Sequence, residues 1–179
     1  MKVHPVKLPL FAYGTLKRGE KYYGTFERFK PKTVDEAFTL GKLYYVPYIE
    51  KIVDNKKSLA VTVALEPEGC QRISGQLLTF EDSVADRALA ESDDKEFNFH
   101  DQSTREKKDR VFIRTVITCY SRSGEAVLAW AYIYVSLDEA HKPKVLVNPN
   151  TISFGTHASF EHIGISEYKD LLKQAALKT

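Results

Sequence analysis

Leu8-Pro9-Leu10-Phe11-Ala12-Tyr13-Gly14-Thr15-Leu16-Lys17-Arg18-Gly19 sets an apolar run directly against a small, polar, glycine-flanked stretch. That order predicts a buried strand opening into a tight loop. Gly14 lacks a Cβ and reaches dihedrals closed to other residues, and Thr15 adds a hydroxyl. Successive amide N–H groups of Gly14, Thr15 and Leu16 can therefore converge on an anionic or carbonyl oxygen, which makes the loop a candidate binding site for a carboxylate or an oxyanion. Tyr13 ends the strand, where a tyrosine serves either as a packed ring with a hydrogen-bonded hydroxyl or as a site residue.

Strands dominate the rest of the chain. The segments 37–46, 59–65, 72–80, 111–120 and 126–135 are rich in Val, Ile, Leu, Thr and aromatic residues and are separated by turn residues. With the first strand they make about six. Val111-Phe112-Ile113-Arg114-Thr115-Val116-Ile117 and Ala129-Trp130-Ala131-Tyr132-Ile133-Tyr134 are apolar on both faces, which a barrel or a sheet covered on both sides explains. Two helices are expected. Ser83 caps the first, whose stripe of Val84, Ala85, Ala88 and Leu89 runs to about Asp93 or a little beyond. The second begins near Ser166 and carries Tyr168, Leu171, Leu172 and Ala175 at helical spacing, so it should pack on the domain.

The balance of charge narrows the function. Twenty-six basic and 24 acidic residues give a formal net charge of +2, with both signs interspersed, so no nucleic-acid-binding stripe is expected. The N-terminal Met1-Lys2-Val3-His4-Pro5-Val6-Lys7 carries no long apolar segment and no run approaches the ~18 apolar residues of a membrane span, so a cytoplasmic protein with no membrane partner is expected. Cys70 and Cys119 form no Cys-x-x-Cys pair; Cys119 reads as a buried inert thiol in a strand, and Cys70 as part of a polar turn. The five histidines include no His-Glu-x-x-His pattern, and no metal site is expected. Neither a Gly-x-Ser-x-Gly elbow nor a phosphate-binding Gly-rich loop is present.

Four further segments, in order along the chain, join the opening loop. The string Phe11-Ala12-Tyr13-Gly14-Thr15-Leu16-Lys17-Arg18-Gly19 resembles the N-terminal signature of the γ-glutamylcyclotransferase-like family, in which a Tyr-Gly-Ser/Thr loop floors the substrate site. Gly41-Lys42-Leu43-Tyr44 is similar to the family's Gly-x-Leu-Tyr strand, and Gly75-Gln76-Leu77-Leu78 to its next strand. Phe112-Ile113-Arg114 stands where Tyr-x-Arg is expected, and Ala129-Trp130-Ala131-Tyr132-Ile133-Tyr134 resembles the closing strand. The resemblance covers roughly residues 8 to 135 and implies an α+β fold: a small, mostly antiparallel β-barrel with flanking helices. The expected organisation is a barrel domain over residues 1–136 and a C-terminal extension over 137–179, with one helix packed on the same domain.

The family places a glutamate, in a Leu-Asp-x-x-Glu signature, at the end of the first helix. Here the chain reads Leu89-Ala90-Glu91-Ser92-Asp93-Asp94-Lys95-Glu96-Phe97. Pairing Leu89 with the family leucine puts Asp93 at the catalytic place. One extra helical turn instead makes Asp93-Asp94-Lys95-Glu96 the Asp-x-x-Glu motif, with Ser92 in place of leucine. Asp93 and Glu96 lie three apart and share a helical face, so both can reach one pocket. The second register keeps the residue type and is preferred. Four acids in six residues are also what an ordinary solvated acidic stretch looks like.

The resemblance implies chemistry that needs no cofactor and no metal. A γ-glutamyl amide carries its own nucleophile: its α-amino group attacks the γ-carbonyl, closes a five-membered ring, releases an amine and leaves 5-oxoproline. Catalysis then consists of holding the substrate folded, moving a proton with Glu96 or Asp93, and orienting a carboxylate or oxyanion on the amides of Gly14, Thr15 and Leu16. The expected partner is a small γ-glutamyl amine or amino acid, bound by a monomer or homodimer. The broken signature and the extra C-terminal segment fit an alternative, a diverged binding domain on the same barrel. Residues 98–110 read as an insertion over the pocket, 148–151 as a turn, and 151–160 as a segment that extends the sheet, covers the pocket or forms a dimer contact.

Overall fold

The structure, a computed structural model, describes residues 7–20, 22–53, 56–97, 112–134, 145–146 and 165–176. The elements in chain order are β1 (Leu10–Ala12), α1 (Gly24–Glu27), β2 (Thr33–Val53), β3 (Lys56–Thr79), α2 (Asp82–Phe97), β4 (Phe112–Ser121), β5 (Ala126–Tyr134), β6 (Val145–Leu146) and α3 (Ile165–Ala176). The sheet runs β3-β1-β5-β4-β2-β6, and a further β2–β3 pairing joins its ends into a closed ring of five strands. All neighbours in the ring are antiparallel except β1 and β5, which meet in parallel at Leu10 and Trp130 and are tied by a 2.8 Å hydrogen bond from the Trp130 N–H to the Pro9 carbonyl. The α+β barrel expected from the sequence is thus present, with β6 appended to β2 at Tyr44 and Tyr45.

The apolar runs have two faces because the barrel wall has a core on each side. Phe11, Tyr13, Leu65, Ile117, Cys119 and Ala129 belong to one buried cluster that includes no helical residue, as the inside of the ring requires. Their neighbours Leu10, Ala12, Ala64, Leu78 and Tyr132 join a second cluster with Phe26 and Phe29 of the α1 region and Ala85, Ala88 and Leu89 of α2. Side chains alternate across a strand, so β5 feeds both, whereas the covering expected for the 111–117 run is incomplete: Phe112 and Ile117 are buried, but Ile113 and Val116 are exposed. Cys119 is fully buried, and burial pushes its thiol up to about 12, as an inert core cysteine should show.

Three sequence-based boundaries move. The segments 59–65 and 72–80 are not two strands but parts of β3, which pairs with β2 along nearly its whole length. The turn residues between them form a bulge: Gly41 pairs with Gln71 and Lys42 with Glu66, so Pro67, Glu68, Gly69 and Cys70 have no partner on β2. Cys70 accordingly sits exposed in a strand bulge rather than in a turn. A Cβ on Gly69 would stand 2.7 Å from the Gly41 carbonyl oxygen, which is why glycine occupies the bulge. Finally, α2 starts one residue ahead of Ser83 and is opened by Glu81, whose carbonyl accepts the N–H groups of Val84 and Ala85 at 3.0 Å. The helix expected near Ser166 is α3, which lies against β3 and β6. The expectations for 98–110 and 148–160 lie outside the described residues.

Candidate functional site

β1 delivers the loop. It is a three-residue strand buried on both faces, and beyond it the chain turns sharply: the Lys17 N–H donates to the Gly14 carbonyl at 3.1 Å and the Tyr22 N–H to the Thr15 carbonyl at 2.9 Å. Arg18 N–H donates to Gln76 Oε1 at 2.8 Å, and Gln76 Nε2 donates to Glu36 at 3.0 Å, which fastens the loop to β3 and β2. These bonds occupy carbonyls. Among the described residues, the N–H groups of Gly14, Thr15 and Leu16 donate to no other part of the chain. Buried or half-buried donors of this kind seek an acceptor, and three in sequence suit an oxygen that carries charge.

The loop and the end of α2 share a concavity. Phe11, Ala12, Tyr13, Gly14, Thr15, Leu16, Val63, Glu96 and Tyr132 line a pocket of about 320 Å³ measured out to its open mouth. Among the described residues, Glu96 is its one carboxylate. The residue keeps part of its surface accessible, yet burial pushes its carboxyl from 4.5 up to about 8. Desolvation acts on the charged form, so Glu96 is held largely as the acid at neutral pH and gives up its proton just above it.

Asp93, one turn earlier, faces a different set of groups. It accepts a 2.7 Å hydrogen bond from the Tyr132 hydroxyl on one oxygen and forms a 3.2 Å ion pair with Arg114 on the other. Asp93 does not line the pocket. The two carboxylates that the sequence left as alternatives therefore have different surroundings: one is consumed by structural partners, the other lines the cavity. Just ahead of Asp93 in α2, Ser92 is fully buried and satisfies its hydroxyl by donating to the Ala88 carbonyl at 2.8 Å.

Tyr13 also resolves. Its hydroxyl donates to the Tyr132 carbonyl at 2.6 Å and accepts from the Leu65 N–H at 3.1 Å, inside the barrel. Burial, with the charge of Glu96 nearby, raises its pKa far above the ordinary tyrosine value, so it stays protonated. Tyr13→Phe strands one buried N–H and one buried carbonyl and should cost about 1–3 kcal/mol of stability, measured by denaturant unfolding, because the wall residues lose partners they cannot replace with water.

Tyr132, Val63, Phe11 and Ala12 line the pocket without having been singled out as site residues. For Tyr132 a signal existed: alternation along β5 puts it on the helix-covered face with Trp130, opposite Ala129 and Ala131. Among the described residues, no three His, Cys, Asp or Glu side chains gather to hold a metal, and no helix is long and apolar enough to cross a membrane.

The comparisons with known proteins bear on the same region. A family model described as Gamma-glutamyl cyclotransferase, AIG2-like, matches residues 10–149, which include the loop, α2 and the barrel. No curated protein matches the chain. Among solved structures, a protein titled Gamma-glutamyl cyclotransferase is 9% identical, with 93% of this chain and 98% of that one covered and a TM-score of 0.48. An AIG2-like protein from Mus musculus is 18% identical over 74% of this chain and 80% of its own, with a TM-score of 0.40. Allophanate hydrolase from Kluyveromyces lactis is 11% identical with a TM-score of 0.47; it covers 92% of this chain, which spans only 21% of that much longer protein.

Proposed function

The chain belongs to the Gamma-glutamyl cyclotransferase, AIG2-like family, and from that premise we propose that it is a cyclotransferase that converts a γ-glutamyl amine or γ-glutamyl amino acid into 5-oxoproline and a free amine. The observation that carries this reading is the pairing, in one pocket, of loop amides that meet no acceptor among the described residues with the Glu96 carboxyl, whose pKa is raised to about 8.

The substrate's α-ammonium must lose a proton before its nitrogen can attack the γ-carbonyl carbon. An α-amino group has a pKa of about 8, so Glu96 at a similar value exchanges that proton with almost no thermodynamic step. The new C–N bond closes the ring and the old γ-amide C–N bond breaks. Glu96 passes the first proton to the departing nitrogen and, ionised again, takes the second from the ring nitrogen, so two protons leave the α-nitrogen, the lactam keeps one, and the amine departs as its ammonium. No water is consumed. The amides of Gly14, Thr15 and Leu16 bind the carboxylate or the oxyanion that develops on the γ-carbonyl. Phe11, Ala12, Leu16 and Val63 give the pocket apolar walls that raise the proton affinity of the carboxyl, and its ionised form, populated as pH approaches 8, accepts the ammonium proton. Tyr13 contributes the wall, and Asp93 is not assigned the proton transfer.

The test is release of 5-oxoproline from a panel of γ-glutamyl amines and γ-glutamyl amino acids by the wild type, Glu96→Gln and Asp93→Asn. Release by the wild type and its loss in folded Glu96→Gln is the expected result. Release that persists in Glu96→Gln but vanishes in Asp93→Asn reassigns the acid/base to Asp93. No release from any substrate by folded wild type points to a binding domain on the same barrel.

A further inference from the structure

Proton transfer of this kind requires Glu96 to be aimed, and among the described residues Glu96 makes no hydrogen bond or ion pair of its own that would do so: it stands in the last turn of α2, one residue from the helix end. Terminal turns fray unless something outside the backbone ladder holds them. We propose that Asp93, gripped between the Tyr132 hydroxyl and the Arg114 guanidinium, is the positioning residue that fixes the last turn of α2 and so sets Glu96 against the Gly14–Leu16 loop. The inference rests on the role proposed above for Glu96.

Three features converge on Asp93. The Tyr132 hydroxyl reaches Asp93 Oδ1 at 2.7 Å and lies 3.5 Å from the Leu89 carbonyl, so one β5 side chain touches two successive turns of the helix. Arg114 of β4 takes the other Asp93 oxygen at 3.2 Å while its guanidinium lies 5.0 Å from the centroid of the Trp130 ring, which fixes its direction. The pair is only about a quarter exposed, at 26% for Arg114 and 24% for Asp93, well inside the range where an ion pair holds geometry. Tyr132 also lines the pocket, so the clamp and the cavity share a wall.

The groups around Glu96 decide how the clamp can be read out. On the sheet side they are Tyr13 and Tyr132, both kept protonated by burial and by nearby acid charge. Arg114 and Asp93 lie beyond Tyr132, and on the α1 side Arg28 is already paired with Glu91. If the clamp keeps the turn closed, loosening it admits water to Glu96, and a solvated carboxyl titrates lower. Simple charge effects behave differently. Removing the Asp93 charge would lower the Glu96 midpoint, and removing the Arg114 charge would raise it.

The experiment is a ¹³C-carboxyl NMR titration of the full chain as wild type, Asp93→Asn, Arg114→Gln and Arg114→Lys, with the Glu96 signal assigned by its absence from Glu96→Gln. The expected result is a wild-type midpoint near 8 that falls by about one pH unit or more in all three variants, including Arg114→Lys, where the cation is kept and only the fork is lost. A fall in Asp93→Asn with a rise in Arg114→Gln, or no change in any variant, overturns the inference, as does a wild-type midpoint in the ordinary carboxylate range. Arg114→Lys, which keeps the charge balance, carries the test if Arg114→Gln does not fold. The titration needs no turnover, so failure to release 5-oxoproline alongside the expected midpoints counts against the proposed reaction alone. Where turnover is present, Asp93→Asn should lower kcat by up to about 100-fold with little change in KM, the signature of a misplaced rather than a missing group.

Discussion

Glu96→Gln should abolish most turnover and make the protein more stable at the same time. Losing a positioned acid/base costs about 10²- to 10⁴-fold in kcat. KM should change far less, because the amide keeps the shape of the carboxyl and the loop amides still hold the substrate. The stability gain follows from linkage. The folded-state pKa is about 8 and the ordinary value 4.5. Below the lower value both folded and unfolded chains carry the proton, and Glu96 has no pH-dependent effect. Between the two values the unfolded chain releases its proton while the folded chain retains it, so stability falls steadily as pH rises through this window and stays reduced above it. At about 1.4 kcal/mol per pH unit, discounted because Glu96 is only half-buried, the penalty at pH 8 and above is about 2–4 kcal/mol. Glutamine never ionises and escapes it. Thermal melts of wild type and Glu96→Gln should therefore diverge from near coincidence at pH 4 to a clear advantage for the variant at pH 8 to 9. Parallel melts at every pH would mean that Glu96 is solvated and carries no stored cost, and the acid/base assignment would lose its physical basis.

The same residue shows where the sequence was informative and where it was not. Strand content was legible because β-branched and aromatic runs mark strands; two cores on the two sides of one wall explain the apolar faces of β5, whereas in β4 Ile113 and Val116 are exposed. What escaped was continuity. Pro67 and Gly69 look like the residues of a turn, and they do interrupt pairing, but the interruption is a four-residue bulge with β3 continuing past it. Local chemistry identifies a break in a ladder without revealing whether the partner strand resumes beyond it, since β2 lies more than twenty residues away in sequence at that point. Helix α2 was limited in another way. Spacing put Asp93 and Glu96 on one face, yet the choice between them depended on what Arg114 and Tyr132 do, and those residues come from strands that follow the helix. A carboxylate's surroundings are tertiary facts. For Tyr132, alternation along β5 gave the face but not the pocket it lines, whereas the loop after β1 was legible because its turn is local, although the glycine there with a positive φ is Gly19 and not Gly14.

Gly75→Ala should be the most damaging single methyl in the chain. Gly75 lies in β3 where that strand is flanked by β1 and β2, opposite Ala37 and one residue before the partner of Ala12. A Cβ there would stand 2.6 Å from the Ala12 carbonyl oxygen and 2.6 Å from both Cε2 and Cζ of Phe11. The carbonyl is backbone and the ring is 1% exposed inside the barrel, so neither partner has room to retreat. Overpacking a core site typically costs about 1–3 kcal/mol. Three contacts this short, on groups this fixed, put Gly75→Ala at the upper end, a loss of about 6–12 °C in Tm for a chain of this size. Phe11→Leu added to Gly75→Ala should recover part of the loss by shortening the ring, but only part, because the Ala12 carbonyl remains; the shortfall measures how much of the cost is backbone. Gly24→Ala is the matching control, since a Cβ at that position meets nothing within 4 Å and should leave Tm unchanged or slightly raised. Activity should fall with Gly75→Ala beyond what the unfolded fraction explains. Phe11 and Ala12 are the last residues before Tyr13 and Gly14, so any shift that relieves the clash moves the loop that shares the pocket with Glu96. If Gly75→Ala melts like the wild type, the close approach of β1 to β3 is slack, and the strand does not hold the Gly14–Leu16 loop in place against the pocket.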